Sequence, residues 1–453
     1  CNLLRRLRCR DFECLIASLS LIRPGASNQN KVEHYARRHS GLDPSQYIHP
    51  SVQAAMKDTY GLMVYEEHIL MVAHLFAGMD LGRADLLRRA LVKQSDREKA
   101  AGFEVEFREL AIRKGRNQEE IDQVWKFLLD FCGYSFNKAH SSSYAVLAYQ
   151  AAYLKSHFPA EFMASVLSSG KGFYSRLTYV LESLHLGIAV DGPNVNSSQE
   201  DYFARNGRIC VPLSQIKDLT QKTIRRTLKA RRPFSDLADF LLKVEPSPSE
   251  LDSLIRSGAC DTFGENRPAL LWMARTSGIA GTPSLKGESA DEGNLLTCIE
   301  NRQYHSPERP KYSAVSCPIP DYTLAKKIRD EMDLLGFPLS GHPLDAIDPS
   351  GVQSDCQTSR DLEKAKTAVS LCGIIVAERS HKTQGGSWMK FATLSDRTGM
   401  IEVVLFPEVS RKYAPLIGLG KIVLISGTIQ RFEHKRVGSL IAEVVRNLGE
   451  FEL

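Results

Sequence analysis

The sequence predicts a multidomain α+β protein, with a helical first half and a C-terminal β-barrel of the OB-fold type. The chain has 453 residues, which at about 150 residues per domain corresponds to roughly three domains. Residues 51–186 place apolar side chains at helical spacing, whereas residues 367–447 alternate apolar and polar side chains as strands do. The hydrophobic fraction of 43% is sufficient to build packed cores.

Composition excludes several other classes of protein. The ordinary hydrophobic fraction excludes a disordered chain, and the short, charge-interrupted apolar stretches predict no membrane span. Ten cysteines lie far apart without a Cys-x-x-Cys pair, which indicates neither a zinc ribbon nor a disulfide framework. With no apolar leader at the start, a cytoplasmic protein is expected. Because residue 1 is Cys and not Met, we expect a longer natural protein; a junction after a split intein is a second interpretation.

The helical half contains several segments with an apolar face. The helical period marks residues 61–79, 83–91, 118–131 and 140–157, and two further helices are expected within residues 160–186. The helix over residues 140–157 is expected to stop before Pro159. Its serine-rich start predicts backbone N–H groups that are free to bind an anion.

The second half contains hairpin and strand patterns. Asp201–Val211 is predicted to form a hairpin with Asn206-Gly207 as its turn, and residues 213–276 return to short helices. Residues 277–320 lack periodicity and are predicted to be a linker. Strand patterns occupy residues 369–378, 388–396, 400–406, 421–429 and 439–445. A helix-like piece, Val409–Leu416, lies between the third and fourth strands, where the OB-fold has a helix.

The small net charge of +5 is unevenly distributed along the chain. Residues 1–50 and 201–250 each carry +4, while residues 251–300 carry −3. The densest basic cluster, interrupted by Asp218, contains Lys217, Lys222, Arg225, Arg226, Lys229, Arg231 and Arg232. Such a cluster is either a solvated helix face or a phosphate-binding surface.

Two motifs in the helical half have side chains suited to a nucleotide. Arg88-Arg89, with Lys93 one turn later, can contact a polyphosphate from one side of a helix; an exposed charged face is the alternative. The segment GYSFNKAHS, residues 133–141, places aromatic, amide and cationic groups before a helix start. It can hold phosphates and stack on a base, or it can be a capped helix with packed aromatic rings.

Other catalytic motifs are missing from the sequence. It contains no Walker A loop, dinucleotide fingerprint, His-Glu-x-x-His helix or Gly-x-Ser-x-Gly elbow. It also lacks an Asp-x-Asp strand suited to two magnesium ions. No catalytic or metal-binding residue is therefore predicted within this chain.

Two long strings together resemble the fingers region of the bacterial C-family DNA polymerases, the family of the DNA polymerase III alpha subunit. They are GLMVYEEHILMVAHLFAGMDLGRADLLRRAL and GYSFNKAHSSSYAVLAYQAAYLKSHFPAEFMASVL. The segments SLIRPGA, LIRSGACDTFG and LLGFPLSGHPLD occur in the same order as in that family. The resemblance covers nearly the whole chain.

The resemblance implies a domain order and a reaction. It implies fingers over residues 1–186, a helix-hairpin-helix domain over 187–276, the linker 277–320, a connecting segment 321–366 and an OB-fold over 367–453. The implied reaction of DNA replication is template-directed addition of dNTPs to a primer 3′ end, with magnesium as cofactor. Primer–template, single-stranded template and dNTP are the implied partners, and no membrane partner is implied. The resemblance does not decide whether the chain binds a sliding clamp.

The resemblance also implies roles for individual residues. The nucleotide-binding residues would be Arg88, Arg89, Lys93, Tyr134, Asn137, Lys138 and His140. The DNA-binding residues would be Arg23, Lys217, Lys222, Arg225, Arg226, Lys229 and Trp388. In the barrel, Trp388, Phe391 and Phe406 are candidates for stacking on single-stranded template. For Phe391 and Phe406, the interior of the barrel is the favoured interpretation.

The sequence departs from the family pattern in several places. The family's magnesium-binding palm aspartates lie before the point where this chain begins, so this chain alone is not expected to polymerise. Tyr65-Glu66-Glu67-His68 stands where Tyr-Gln-Glu-Gln is usual, and Val92-Lys93 where Gly-Lys is usual. The hairpin, residues 217–222, lacks the glycines that bring backbone N–H groups to phosphate, which leaves side-chain charge to bind DNA.

Two further expectations concern the type of protein. A chain that ends after the OB-fold resembles the accessory, error-prone branch of the family, which implies translesion synthesis. The alternative function is a non-catalytic DNA-binding protein derived from a truncated polymerase.

Overall fold

The computed structural model describes two compact units. The described residues are 2–22, 28–92, 97–131, 136–230, 233–276, 319–347, 356–363, 368–383, 385–430 and 438–451. One unit contains residues 1–156, and the other contains residues 157–432 and 436–453. This division at residue 156 differs from the predicted fingers limit at residue 186, and the predicted domain limits stay predictions.

The described part of the first unit is built from helices. They are α1 (Asn2–Arg6), α2 (Phe12–Leu21), α3 (Asn28–His39), α4 (Gln53–Met56), α5 (Glu66–Val72), α6 (Leu81–Val92), α7 (Arg97–Arg113), α8 (Gln118–Leu129) and α9 (Lys138–His157). A π-helical turn, Ala73–Ala77, continues α5 and ends at Gly78, whose φ is +78°. The core between α5, α6, α7 and α8 contains Phe76, Leu87, Phe107 and Ile121.

The segment predicted as one helix over residues 61–79 differs in the structure. Its first residues are not helical, because Tyr65 forms a parallel β-bridge with Phe136 before α5 begins at Glu66. The other three predicted helices of this unit appear as α6, α8 and α9. In the described residues of the chain, none of the helices has the length and apolarity that crossing a bilayer requires.

The second unit combines helices with two groups of strands. Its helices are α10 (Pro159–Ser169), α11 (Arg176–His185), α12 (Gln221–Lys229), α13 (Leu237–Val244), α14 (Pro248–Arg256), α15 (Arg267–Thr276), α16 (Leu324–Leu335) and α17 (Pro407–Tyr413). Its strands are β1 (Val190–Asp191), β2 (Phe203–Arg205), β3 (Arg208–Cys210), β4 (Ala368–Lys382), β5 (Trp388–Ser395), β6 (Met400–Leu405), β7 (Lys421–Gln430) and β8 (Ser439–Glu450).

The predicted hairpin around Asn206-Gly207 is present in a small sheet. Strands β2 and β3 pair antiparallel, and β1 pairs with β3 in parallel. Asn206 and Gly207 have φ values of +52° and +72°. Two successive residues with positive φ make the turn whose twist matches the flanking strands, which is why Asn-Gly is favoured there.

The C-terminal strands pair in a closed ring, in agreement with the predicted OB-fold. The order around the ring is β4-β5-β6-β8-β7, and β7 pairs again with β4. Helix α17 lies between β6 and β7, at the predicted position. The interior of the ring contains alternate residues of the strands, such as Leu371, Ala392, Leu394 and Val403.

The structure corrects the interpretation of two aromatic residues as ring interior. Phe391 alternates with the buried Ala392 and lies half-buried on the outer face, where the Arg379 guanidinium stands 4.6 Å from the centre of its ring. Phe406 follows β6 directly and is 46% exposed. Both residues therefore lie outside the apolar cluster that fills the ring.

A buried ion pair connects α15, α16 and the segment that follows α16. The Glu331 carboxylate is fully buried and accepts hydrogen bonds from the backbone N–H groups of Leu339 and Ser340, both at 2.8 Å. It also accepts from the Ser340 hydroxyl at 2.5 Å and from the Arg267 guanidinium at 3.1 Å. Because three of these donors belong to Leu339 and Ser340 and the fourth belongs to Arg267 of α15, one carboxylate of α16 joins α15 to the segment that follows α16.

We expect Glu331→Ala to destabilise the second unit by about 3–5 kcal/mol, because it leaves the buried Arg267 guanidinium and two backbone donors without this acceptor. Hydrogen exchange of α16 amides during urea titration of the full chain measures this loss. Glu265→Ala is the matched control, since Glu265 is exposed, and should change stability by less than about 0.5 kcal/mol. Equal effects of the two substitutions would contradict the assignment.

Candidate nucleotide and nucleic-acid interface

The start of α5 is hydrogen-bonded to the segment that leads into α9. The Glu66 backbone N–H donates to the Phe136 carbonyl at 3.0 Å, beside the Tyr65–Phe136 bridge. Both carboxylate oxygens of Glu67 accept from the Lys138 backbone N–H at 3.0 Å. The segment before α9 is thereby held against the start of α5.

The predicted free N–H groups at the start of α9 are in fact occupied. The Lys138 N–H is bound by Glu67, and the His140 N–H donates to the Asn137 side-chain oxygen at 3.0 Å. Asn137 thus acts as a helix cap, and a carboxylate of the chain itself takes the place predicted for an external anion. That prediction is wrong for these two N–H groups.

The predicted phosphate ligand Arg88 is paired with carboxylates. Its guanidinium contacts the Glu66 carboxylate at 2.5 Å and the Asp85 carboxylate at 2.9 Å, and its side chain is 20% exposed. Arg89 contacts the other oxygen of Asp85 at 2.8 Å and is 63% exposed. We call these four side chains the Arg88 cluster.

The pKa values in the Arg88 cluster reflect these contacts. Burial opposes the charge of Arg88, but hydrogen bonds and charges of Asp85 and Glu66 raise its pKa above the ordinary value. The hydrogen bond from Arg88 keeps the pKa of Asp85 low. Arg88 and Asp85 therefore stay ionised, and a phosphate that binds Arg88 must compete with two carboxylates.

Lys138 and His140 lie beside the same helix start. The Lys138 ammonium contacts the Glu13 carboxylate at 2.9 Å and stands 5.2 Å from the Tyr65 ring. The His140 ring lies between the rings of Phe136 and Tyr144, at 5.2 and 4.6 Å. The segment that carries this ammonium and these rings is thus held against the start of α5 through Glu66 and Glu67.

His68, which replaces a usual glutamine of the family pattern, has a structural role. Its ring nitrogen Nδ1 accepts from the Val64 and Tyr65 N–H groups at 3.2 and 3.5 Å. Burial, and then the charge of Lys138, lower the pKa of His68 to about 3. The ring is therefore neutral near pH 7 and holds the segment that leads into α5.

Several predicted site residues fall outside the described part of the chain. They are Arg23, Lys93, Tyr134, Arg231 and Arg232. Their roles stay predictions.

The basic hairpin is formed by residues 213–229. A short 3-10 helix, Leu213–Gln215, leads into a turn in which Asp218 has a φ of +63°. Helix α12 then begins after Thr220, whose hydroxyl accepts from the Thr223 N–H at 3.3 Å. Asp218 thus adopts the left-handed conformation for which glycine is the usual residue.

Basic side chains of α12 line a cavity of about 530 Å³ that α13 completes with Lys243. The residues of this hairpin cavity are Lys222, Arg225, Arg226, Lys229, Ala230 and Lys243. Arg226 is committed to the fold, since it donates to the Val244 carbonyl and contacts Glu245, both at 3.1 Å. Among the described residues, Lys222, Arg225 and Lys229 form no ion pair.

Glu250 on α14 ties the hairpin to a second turn. One carboxylate oxygen accepts from the Thr220 N–H at 3.0 Å and the Thr220 hydroxyl at 2.6 Å. The other accepts from the Ser247 N–H and hydroxyl at 2.9 and 2.8 Å. Burial alone raises the pKa of Glu250, but hydrogen bonds, above all from Thr220, outweigh burial and lower it to about 2.

The β4–β5 strand pair of the ring carries a second set of aromatic and basic groups. Trp388 is the first residue of β5, is 59% exposed and pairs with Lys382 of β4. The Arg379–Phe391 pair is three positions further along the same two strands. Accessible aromatic rings beside cations are the arrangement that binds single-stranded nucleic acid.

The described residues do not fit a metal site. None of their His, Cys, Asp and Glu side chains form a group of three or more that could hold an ion. No step is therefore derived through a metal bound to these residues.

Comparison with known families identifies three of the regions described above. The bacterial DNA polymerase III alpha subunit finger domain matches residues 1–115, a helix-hairpin-helix motif matches residues 187–270, and an OB-fold nucleic acid binding domain matches residues 369–448. DNA polymerase III subunit alpha of Bacillus subtilis (strain 168) is 32% identical over 96% of this chain and 38% of its own length. The chain belongs to the DNA polymerase III alpha subunit family.

Other alpha subunits match over a similar extent. That of Aquifex aeolicus (strain VF5) is 28% identical over 98% of this chain and 37% of its own length. That of Caulobacter vibrioides (strain NA1000 / CB15N) is 30% identical over 93% of this chain and 37% of its own length. The chain thus spans a little more than a third of the relatives that it matches.

Three contacts at the candidate sites were not predicted from the sequence. Lys243 completes the hairpin cavity from a different helix, Glu66 binds Arg88, and Glu250 binds the hairpin turn. Only Glu66 had a signal, since it replaces the usual glutamine of the family pattern. The other two contacts join residues that are separate in sequence.

We expect Glu250→Gln to destabilise the hairpin, because an amide nitrogen cannot accept the hydrogen bonds that one carboxylate oxygen now receives. The lowered pKa gives stability that is complete above about pH 4.5 and is lost as the pH falls towards 2, worth about 3 kcal/mol. Urea titrations of both proteins between pH 7 and pH 2.5 measure this difference.

The control for this experiment is Glu265→Gln at an exposed position. The gap in stability between wild type and Glu250→Gln should narrow at low pH, whereas the control should follow wild type. A gap that stays constant with pH would show that the Glu250 charge does not stabilise the turn.

Proposed function

We propose that this chain is the part of a DNA polymerase that positions the incoming dNTP and holds DNA during template-directed addition to a primer 3′ end. The Arg88 cluster, which lies beside the start of α5 and the start of α9 with its Lys138 and His140, is the observation that supports this proposal. The match to the finger domain supports it further. Magnesium is proposed as cofactor of the intact enzyme, held by palm carboxylates outside these residues.

Nucleotide binding requires an exchange of anions at Arg88. A triphosphate offers several negative oxygens, to which a guanidinium donates paired hydrogen bonds. To make them, Arg88 must leave Glu66 or share its donors with it, while Asp85 keeps it on the same side of α6. Arg89, which is largely exposed, can contact the phosphates without such an exchange.

DNA binding is assigned to the hairpin cavity and to the β4–β5 strand pair of the ring. The unpaired cations Lys222, Arg225 and Lys229 suit the phosphates of duplex DNA. Trp388, with the Arg379–Phe391 pair, suits unpaired template bases. The Thr220 N–H is occupied by Glu250, so side-chain charge and not this backbone group would bind phosphate.

A second candidate is a non-catalytic DNA-binding protein of the same family. The carboxylates that pair with Arg88 favour it, because they already satisfy the residue that a polymerase needs for its nucleotide. Primer extension by the intact natural protein, with dNTPs and magnesium, decides between the two candidates. An accessory role in translesion synthesis, in the cytoplasm, is our finer proposal and follows the family resemblance.

In the intact enzyme, Arg88→Ala should raise the KM for dNTP by about tenfold or more and lower kcat, because a charged hydrogen bond to phosphate is lost. Glu66→Gln should lower the KM several-fold, since it removes a competing charge but keeps the side chain's shape. Steady-state kinetics on gapped template measures both, with the exposed Arg113→Ala as control. Unchanged kinetics for Arg88→Ala would remove the assignment.

Loss of the three unpaired cations of the hairpin cavity should weaken duplex binding and reduce its salt dependence. For Lys222→Ala/Arg225→Ala/Lys229→Ala we expect the slope of log K against log salt to become shallower by up to about 2.7, at about 0.9 per phosphate contact. Fluorescence anisotropy of labelled primer–template at several salt concentrations measures it. Lys327→Ala on α16 is the control, and an unchanged slope in the triple variant would place the DNA elsewhere.

A further inference from the structure

We propose that the loop between α10 and α11, residues 170–176, is an additional binding site for single-stranded nucleic acid. This proposal rests on the proposed nucleic-acid function of the chain and adds a site that lies outside the hairpin cavity and the strand ring. Its sequence is GKGFYSR. The loop combines two exposed aromatic rings with two cations.

The loop exposes its aromatic rings to an unusual degree. Phe173 is 86% exposed, the highest value among the large hydrophobic side chains of the described residues, and Tyr174 is 47% exposed. The two rings contact each other edge to face, with centres 5.1 Å apart. A ring that gains almost nothing from folding stays available to stack on a base.

The loop is held in place at both ends. Gly170 ends α10 with a φ of +58°, and Ser175 caps α11 by accepting from the Thr178 N–H at 3.4 Å. Between them, Gly172 packs so closely on the Tyr179 hydroxyl that a Cβ atom would lie 2.3 Å from it. The rings are therefore presented by a short, fixed turn, which lowers the entropy cost of binding.

The charges beside the rings identify the partner as an anion. Lys171 and Arg176 are exposed, form no ion pair among the described residues, and are the only charged side chains in residues 162–181. A protein partner would need acidic groups and an apolar pocket together. A single strand offers regularly spaced phosphates with unpaired bases, which matches two cations that flank two rings.

A small cavity lies directly beside the rings. It measures about 220 Å³ and is lined by the following groups: Val166, Leu167, Gly170, Gly172, Tyr174, Ser175, Arg176 and Tyr179. This volume is below the roughly 300–1,000 Å³ of sites that enclose whole small molecules. It suits one base next to Tyr174, with its phosphate at Arg176.

The loop is also connected to the strand ring. Thr178, in the first turn of α11, donates its hydroxyl to the Val376 carbonyl of β4 at 3.0 Å. The same strand continues to Arg379, which stands over Phe391. A single strand bound at the β4–β5 strand pair can therefore extend along β4 to the loop.

The test compares the affinity of the full chain for a 20-nucleotide oligo(dT) and for an abasic oligomer of equal length, by fluorescence anisotropy. Phe173→Ala and Tyr174→Ala should each raise the Kd for oligo(dT) by about 5- to 100-fold, as expected for one stacked base, and leave the abasic Kd unchanged. Lys171→Ala/Arg176→Ala should weaken binding of both and make the salt slope shallower by about 1.4.

Trp272→Ala is the matched control, an exposed aromatic residue (45%) on α15, and should change neither Kd. If Phe173→Ala and Tyr174→Ala behave like this control while the hairpin variants still weaken DNA binding, the loop proposal is overturned and the proposed function stands. If wild type binds neither oligomer, both fail. If Phe173→Ala alters only self-association in sedimentation, the loop docks protein, which also overturns the proposal.

Discussion

Two adjacent carboxylates, Glu66 and Glu67, determine the arrangement of the candidate nucleotide site. They lie at the start of α5, where the positive end of the helix stabilises negative charge. Glu66 binds Arg88 of α6, and Glu67 binds the first N–H group of α9. Because the two side chains are neighbours in sequence, the helices that carry the predicted phosphate ligands are fixed to one point of the chain.

The second unit uses the same physical device at two other positions. Glu250 and Glu331 are buried carboxylates whose oxygens are saturated by backbone N–H groups, hydroxyls and, for Glu331, a guanidinium. A buried charge is tolerated only with such partners. Each carboxylate therefore joins separate segments by several hydrogen bonds. Glu250 holds the turn of the basic hairpin, and Glu331 holds the segment after α16.

Local sequence patterns predicted the elements of this fold well. The predictions that were wrong concern contacts between residues that are distant in the sequence, or the choice of which strand face is buried. The Asn206-Gly207 turn and the OB-fold strands follow from residue spacing, because their side chains alternate with a fixed period. The backbone N–H groups at the start of α9 were predicted to be free. The prediction missed Glu67 because this acceptor is 71 residues away in the sequence. Phe391 was placed inside the ring because alternation gives two faces but does not say which one is buried.

The candidate phosphate sites share a property that no single motif reveals. At the start of α9 and at the hairpin turn, a glutamate of the chain binds the N–H groups that phosphate would use elsewhere, and at α6 a glutamate binds the guanidinium. These internal anions keep cations and amides ordered when no nucleotide is present. The consequence differs between sites. A guanidinium on a long side chain can exchange its partner, whereas a backbone N–H fixed in a turn or helix start cannot move to do so. Exchangeable binding is therefore confined to side chains such as Arg88 and the cations of the hairpin cavity, and the internal carboxylates serve the fold.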